Sequence, residues 1–129
     1  MDVLSSRVLL RPSDFDASYR FYAGTLGLAV YREFGEGRSR GVVFFLGGGF
    51  LELSGRAGRA AGDDKTSLWL QVGDVDSAWA AVEAHVDAVE APVDKPWGLR
   101  EARLRDPDGV LVVLVEVPEA HPLRRDPRS

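Results

Sequence analysis

Cysteine is absent from the 129 residues, which excludes a disulfide framework, a thiolate metal cluster and a cysteine nucleophile together. Histidine is nearly absent. His85 and His121 are the two, so a zinc site built from several histidines of one chain is excluded as well. Lysine is equally scarce, 2 against 14 arginines, an imbalance that reads first as genomic base composition. The formal net charge of −4 argues against a nucleic-acid binder, which would gather cations on one basic face. No apolar run approaches the roughly 18 residues of a membrane span. The opening MDVLSSRVLL lacks the basic region and small-residue cleavage site of a secretory signal, so a cytoplasmic protein is expected. The length fits one domain large enough to bury a core without a staple.

What is present is an internal repeat. Residues 8–16, VLLRPSDFD, and residues 68–76, LWLQVGDVD, superpose at a shift of 60, bringing Leu10 onto Leu70, Asp14 onto Asp74 and Asp16 onto Asp76. In each copy an extended apolar stretch, Arg7 to Arg11 or Ser67 to Gln71, ends at an Asp suited to cap the helix that follows. The first helix is expected over about 15–25, with Phe15, Tyr19 and Tyr22 at helical spacing, Phe21 beside them, and Gly24 and Gly27 ending it. The second, about 75–86, carries Val75, Trp79 and Val82 on one stripe. Both stripes read as core.

Sheet segments follow each helix. In the first copy they are Leu28 to Phe34, Gly41 to Leu46 and Phe50 to Ser54, the last two joined through Gly47, Gly48 and Gly49. That glycine triplet lacks the lysine, the Ser/Thr and the following helix of a phosphate loop, so it reads as a hairpin. The second copy shows Glu101 to Arg105 and Val110 to Val115 around the turn Asp106, Pro107, Asp108, Gly109. Each half is thus a strand, a helix and about three further strands, which alone would leave a sheet face bare. Gly55 to Thr66 reads as the connection between the halves, and 118–129 as a surface tail.

These residues resemble the vicinal oxygen chelate superfamily, which includes glyoxalase I, bleomycin-resistance proteins and extradiol dioxygenases. The carriers are RVLLRPSDFDASYRFYAGTLGL, FLELSG, SLWLQVGDVDSAW and PWGLREARLRDPDGVLVVLVE, spanning residues 7–116. The resemblance implies an α+β fold in which two βαβββ modules, about 5–54 and 66–117, form a mixed sheet around a cleft in a single domain over 1–117. It also implies a homodimer. In metal-dependent members four side chains on the first and last strands of the modules hold a divalent ion, and those places fall here on Arg7, Glu52, Ser67 and Val113. Of these, Glu52 alone is a plausible ligand, so no metal and no other cofactor is expected. Arg7 and Glu52 are expected to meet and neutralise each other where the ion would sit. Glu116, three residues beyond Val113, should point away from it.

Strand parity then assigns the cleft lining. Arg7, Leu9 and Arg11 share a face in the first module, Ser67, Trp69 and Gln71 in the second, joined by Phe50, Arg103 and Leu111. Trp69 is placed to stack on a planar ligand with Arg103 supplying charge, and Trp97 of KPWGLRE is the lid that the resemblance implies. His85 reads as a helix-end surface residue and His121 as part of the tail. The function implied is a metal-independent protein like the bleomycin-resistance branch, sequestering an aromatic or amphiphilic small molecule near a dimer interface, with neither nucleic acid nor membrane as partner. The alternative is a glyoxalase-like lyase, isomerase or dioxygenase with Glu52 as base or metal ligand.

Overall fold

The computed structural model describes residues 1–55 and 66–123. Most of the expected connection, 56–65, and the end of the tail, 124–129, lie outside the described residues. The chain divides into two compact units, Met1–Gly62 with Pro107–Gly109, and Asp63–Asp106 with Val110–Ser129.

In unit 1, strand β1 (Arg7–Leu10) leads to helix α1 (Phe15–Tyr19), whose first turn is capped by the Asp14 carboxylate accepting the Ala17 N–H at 3.1 Å. The helix runs on as a π-helical turn over Arg20–Thr25. That wider turn lets two consecutive aromatics face inward, and Phe21 and Tyr22 are both buried with their rings edge to face at 4.8 Å. Gly27, at φ +70°, ends the segment, and the Leu28 N–H is spent on the Tyr22 carbonyl. The next strand, β2, therefore begins at Val30 and runs to Phe34, two residues later than the sequence suggests. β3 (Gly41–Leu46) and β4 (Gly49–Ser54) complete a sheet ordered β1-β4-β3-β2, with β1 parallel to β4 and the other neighbours antiparallel. The helical segment covers the face that carries Val42, Phe44, Leu51 and Leu53, all fully buried, with Tyr22 against Phe44 at 6.3 Å. Each such side chain contributes about 1.5–3 kcal/mol of transfer free energy.

Unit 2 repeats the plan as β5 (Ser67–Gln71), α2 (Val75–Val82), β6 (Asp87–Asp94), β7 (Arg100–Arg105) and β8 (Leu111–Glu116), ordered β5-β8-β7-β6. Asp74 caps α2 by accepting the Ser77 N–H at 3.1 Å. Val75, Trp79 and Val82 are buried on the stripe that the sequence assigns. The repeat extends to an ion pair. Asp16 on α1 meets Arg40, which precedes β3, and Asp76 on α2 meets Arg100 at the start of β7 at 2.8 Å, the same 60-residue shift in both partners. The fold is α+β as expected, with a four-stranded mixed sheet in each module.

Candidate functional site

The unit 1 sheet has a second face that its helix does not cover, and strand register defines what lies on it. Arg7 stands opposite Phe50 and Phe50 opposite Phe45; one step along, Leu9 stands opposite Glu52, Glu52 opposite Val43 and Val43 opposite Arg32. These are two adjacent rows of side chains. Arg7 donates to Glu52 Oε1 at 2.6 Å, so the expected ion pair is present. A register shift between Val30 and Arg32 turns Tyr31 onto the same face, where its ring lies 5.0 Å from Phe45 and 5.1 Å from Phe50, nearly parallel to the latter. Phe45 and Phe50 are 5.8 Å apart. Tyr31 is 51% exposed and Phe45 47%, so the rings present an aromatic surface beside a neutralised ion pair, with Leu9 exposed in the next row. Arg11 lies beyond the end of β1.

Parity alone misses Tyr31 and Phe45. Phe45 was within reach of a sequence argument, because a hairpin turn of two residues, Gly47 and Gly48, fixes Phe45 opposite Phe50. Reading all three glycines as the connection hides that register. No sequence signal marks the irregularity that reorients Tyr31.

In unit 2 the residues assigned by parity do share a face. Ser67 pairs with Leu111, Trp69 with Val113, Arg103 with Val113 and Gln71 with Val115. Trp69 is exposed, but Val113 is buried and joins Leu99, Val115 and Val117 in an apolar cluster against which Leu111 packs. Arg103 is already engaged, donating at 3.0 Å to both Glu90 and Glu101. Trp97 is tethered, its indole N–H donating to Glu101 Oε2 at 2.7 Å with Lys95 Nζ 5.9 Å from its ring. Lys95 also donates to Glu90 at 2.6 Å, the main reason that the Glu90 carboxyl sits below its ordinary range, with Arg103 adding to it. Glu101, buried at 4% exposure, is thus the hub of the network and has no role in the sequence reading.

The donor set does not fit a chelated metal. Glu52 spends one oxygen on a permanent cation, Arg7 has no lone pair to give, and Val113 is a buried hydrocarbon. Ser67 offers only a hydroxyl. Carboxylate oxygens do gather within 4.8 Å of one another at Asp74, Asp76 and Glu116, on the opposite face of the unit 2 sheet. Each has a structural partner: Asp74 the cap of α2, Asp76 the Arg100 guanidinium, and Glu116 the Val75 N–H at 3.0 Å. Those bonds hold the Asp74 and Asp76 carboxyls below their usual range, through the Ser77 N–H and the Arg100 side chain respectively. Glu116 points away from Val113, as alternation requires. His85 is exposed after α2, and His121 lies beside Gly98 with its Nδ1 accepting the Leu123 N–H.

Comparison with known proteins gives the same fold. A family model described as the Glyoxalase/Bleomycin resistance protein/Dioxygenase superfamily matches residues 5–114. A structure from Agrobacterium tumefaciens, described as a protein of unknown function, is similar at 26% identity and a TM-score of 0.74, over 92% of this chain and 95% of that one. A glyoxalase-related enzyme from Fulvimarina pelagi aligns at 20% identity and a TM-score of 0.72, over 92% and 90% of the two chains. A superfamily member from Sphaerobacter thermophilus aligns at 24% and 0.68, over 89% and 98%. At those two identities the likeness speaks for the fold alone. No curated protein matches the sequence.

Proposed function

Because the chain belongs to the glyoxalase/bleomycin resistance protein/dioxygenase superfamily, we propose that it is a metal-independent binding protein that sequesters an aromatic or amphiphilic small molecule without transforming it. The observation that carries this reading is the cluster of exposed Tyr31 and Phe45 with half-buried Phe50 beside the Arg7–Glu52 ion pair. Aromatic rings left in water at a sheet face gain by being covered, and stacking adds about 0.5–1.5 kcal/mol per ring pair beyond the area buried. A polar pair at the border orients the guest while the rings supply affinity. With Glu52 engaged by Arg7, the position lacks the free donors that Lewis-acid chemistry needs. Trp69, exposed on the unit 2 sheet, is a second stacking candidate. The same reading has the protein acting as a homodimer, which sedimentation at twice the chain mass would support.

The test is a titration with planar aromatic compounds, followed by intrinsic fluorescence and by recovery of the compound. The expected result is saturable binding that a chelator does not alter, with the compound recovered intact and binding weakened by Phe45→Ala. A stoichiometric divalent ion in the purified protein, or a chemically altered compound, would replace this reading with the enzymatic one.

A further inference from the structure

The charges on the aromatic face of unit 1 are unequally satisfied. Glu52 is bonded to Arg7 at one end of its row, whereas Arg32, at the other end, is separated from Glu52 by the uncharged Val43. Among the described residues Arg32 makes no ion pair. Its neighbour Glu33 pairs with Val42, on the helix-packed face, so the nearest acid in sequence is turned away. The Arg32 guanidinium instead lies over the Phe34 ring, 5.4 Å from its centroid, with its donors uncommitted. The register shift that turns Tyr31 onto this face leaves the next residue, Arg32, opposite Val43 on the same face. The row next to the rings therefore carries, on either side of Val43, a carboxylate already neutralised by Arg7 and a cation without a counter-charge.

We infer that Arg32 receives the acidic edge of the ligand, so that the guest class is a planar aromatic acid whose ring system rests on Tyr31, Phe45 and Phe50. This inference rests on the binding function proposed above and narrows its guest. An uncommitted guanidinium binds a carboxylate through two parallel N–H donors, a geometry that an alcohol cannot match. A neutral aromatic would gain the ring contacts alone. An aromatic cation would meet Arg32 as a like charge, and the Glu52 carboxylate is already neutralised by Arg7.

The experiment compares naphthoate, naphthalenemethanol and naphthylmethylammonium on the intact protein and on the variants Arg32→Gln and Phe45→Ala. Naphthoate is expected to bind the native protein about fivefold or more tightly than the alcohol, and the ammonium most weakly. That preference should vanish in Arg32→Gln and shrink as salt is raised, while Phe45→Ala weakens the acid and the alcohol alike. Equal affinity for acid and alcohol, or a preference that survives Arg32→Gln, overturns the role of Arg32 and leaves the sequestering function standing. Failure of every probe to bind, or binding indifferent to Phe45→Ala, overturns both.

Discussion

An indole more than half exposed to solvent would ordinarily cost little to replace, yet Trp97 holds one oxygen of a buried carboxylate. Replacing it with phenylalanine removes the N–H and leaves Glu101 Oε2 short of its donor, with a penalty of about 1–3 kcal/mol. Urea denaturation of Trp97→Phe should show that loss; a change below about 0.5 kcal/mol would mean that water takes over the bond. The bond also opposes the swing expected of a lid, since opening it would break a contact to a charged group. The sequence shows an indole in a proline-glycine loop but not the acid four residues on that captures it, because that acid reaches Trp97 only after Gly98 has turned the chain at φ +90°. Arg103, for the same reason, looks like a free cation in the sequence and is bound on two sides in the fold.

At the scale of elements, two glycines separate a structural demand from a mere turn. A methyl group at Gly55 would sit 2.1 Å from the backbone carbonyl of Arg40, whose oxygen also accepts the Gly55 N–H. Gly55→Ala must displace backbone at the end of β4, and about 3 kcal/mol of destabilisation is expected. Gly48, in the β3–β4 turn, has nothing within 4 Å of such a methyl and no positive φ, so Gly48→Ala should stay within about 0.5 kcal/mol of the parent. Thermal melts of the two variants side by side check the contrast. Elements governed by local chemistry were legible: both Asp caps, both core stripes and the Asp-Pro-Asp-Gly turn follow from neighbouring residues. β6 was harder, because Asp87–Asp94 mixes acids and a proline into an edge strand with two register shifts and so carries no clean alternation. The orientation of Tyr31 was hidden by the same kind of irregularity.

For the molecule as a whole, titration acts on the two units from opposite ends of the pH scale. Among the described residues the carboxyls held low, Asp74, Asp76 and Glu90, all belong to unit 2. A group with a depressed folded pKa contributes stability that is full above its unfolded value near 4 and is lost as pH falls through the folded value. Hydrogen exchange in acid should therefore show β5 to β8 losing protection before β1 to β4; the reverse order would refute the assignment. Tyr19, in unit 1, is raised by burial first and by Glu33 second, so its contribution disappears only as alkali carries pH up through that raised value. Raised salt should soften the acid effect, since the three carboxyls lie at the surface. The Asp–Arg brace between helix and sheet, present at Asp16–Arg40 and again at Asp76–Arg100, has a genetic corollary. A crossover between the two halves of the coding sequence, joined in register, would leave each side of the splice with a complete acid–base couple, so recombination could exchange or duplicate a half without severing the tie on which its helix depends.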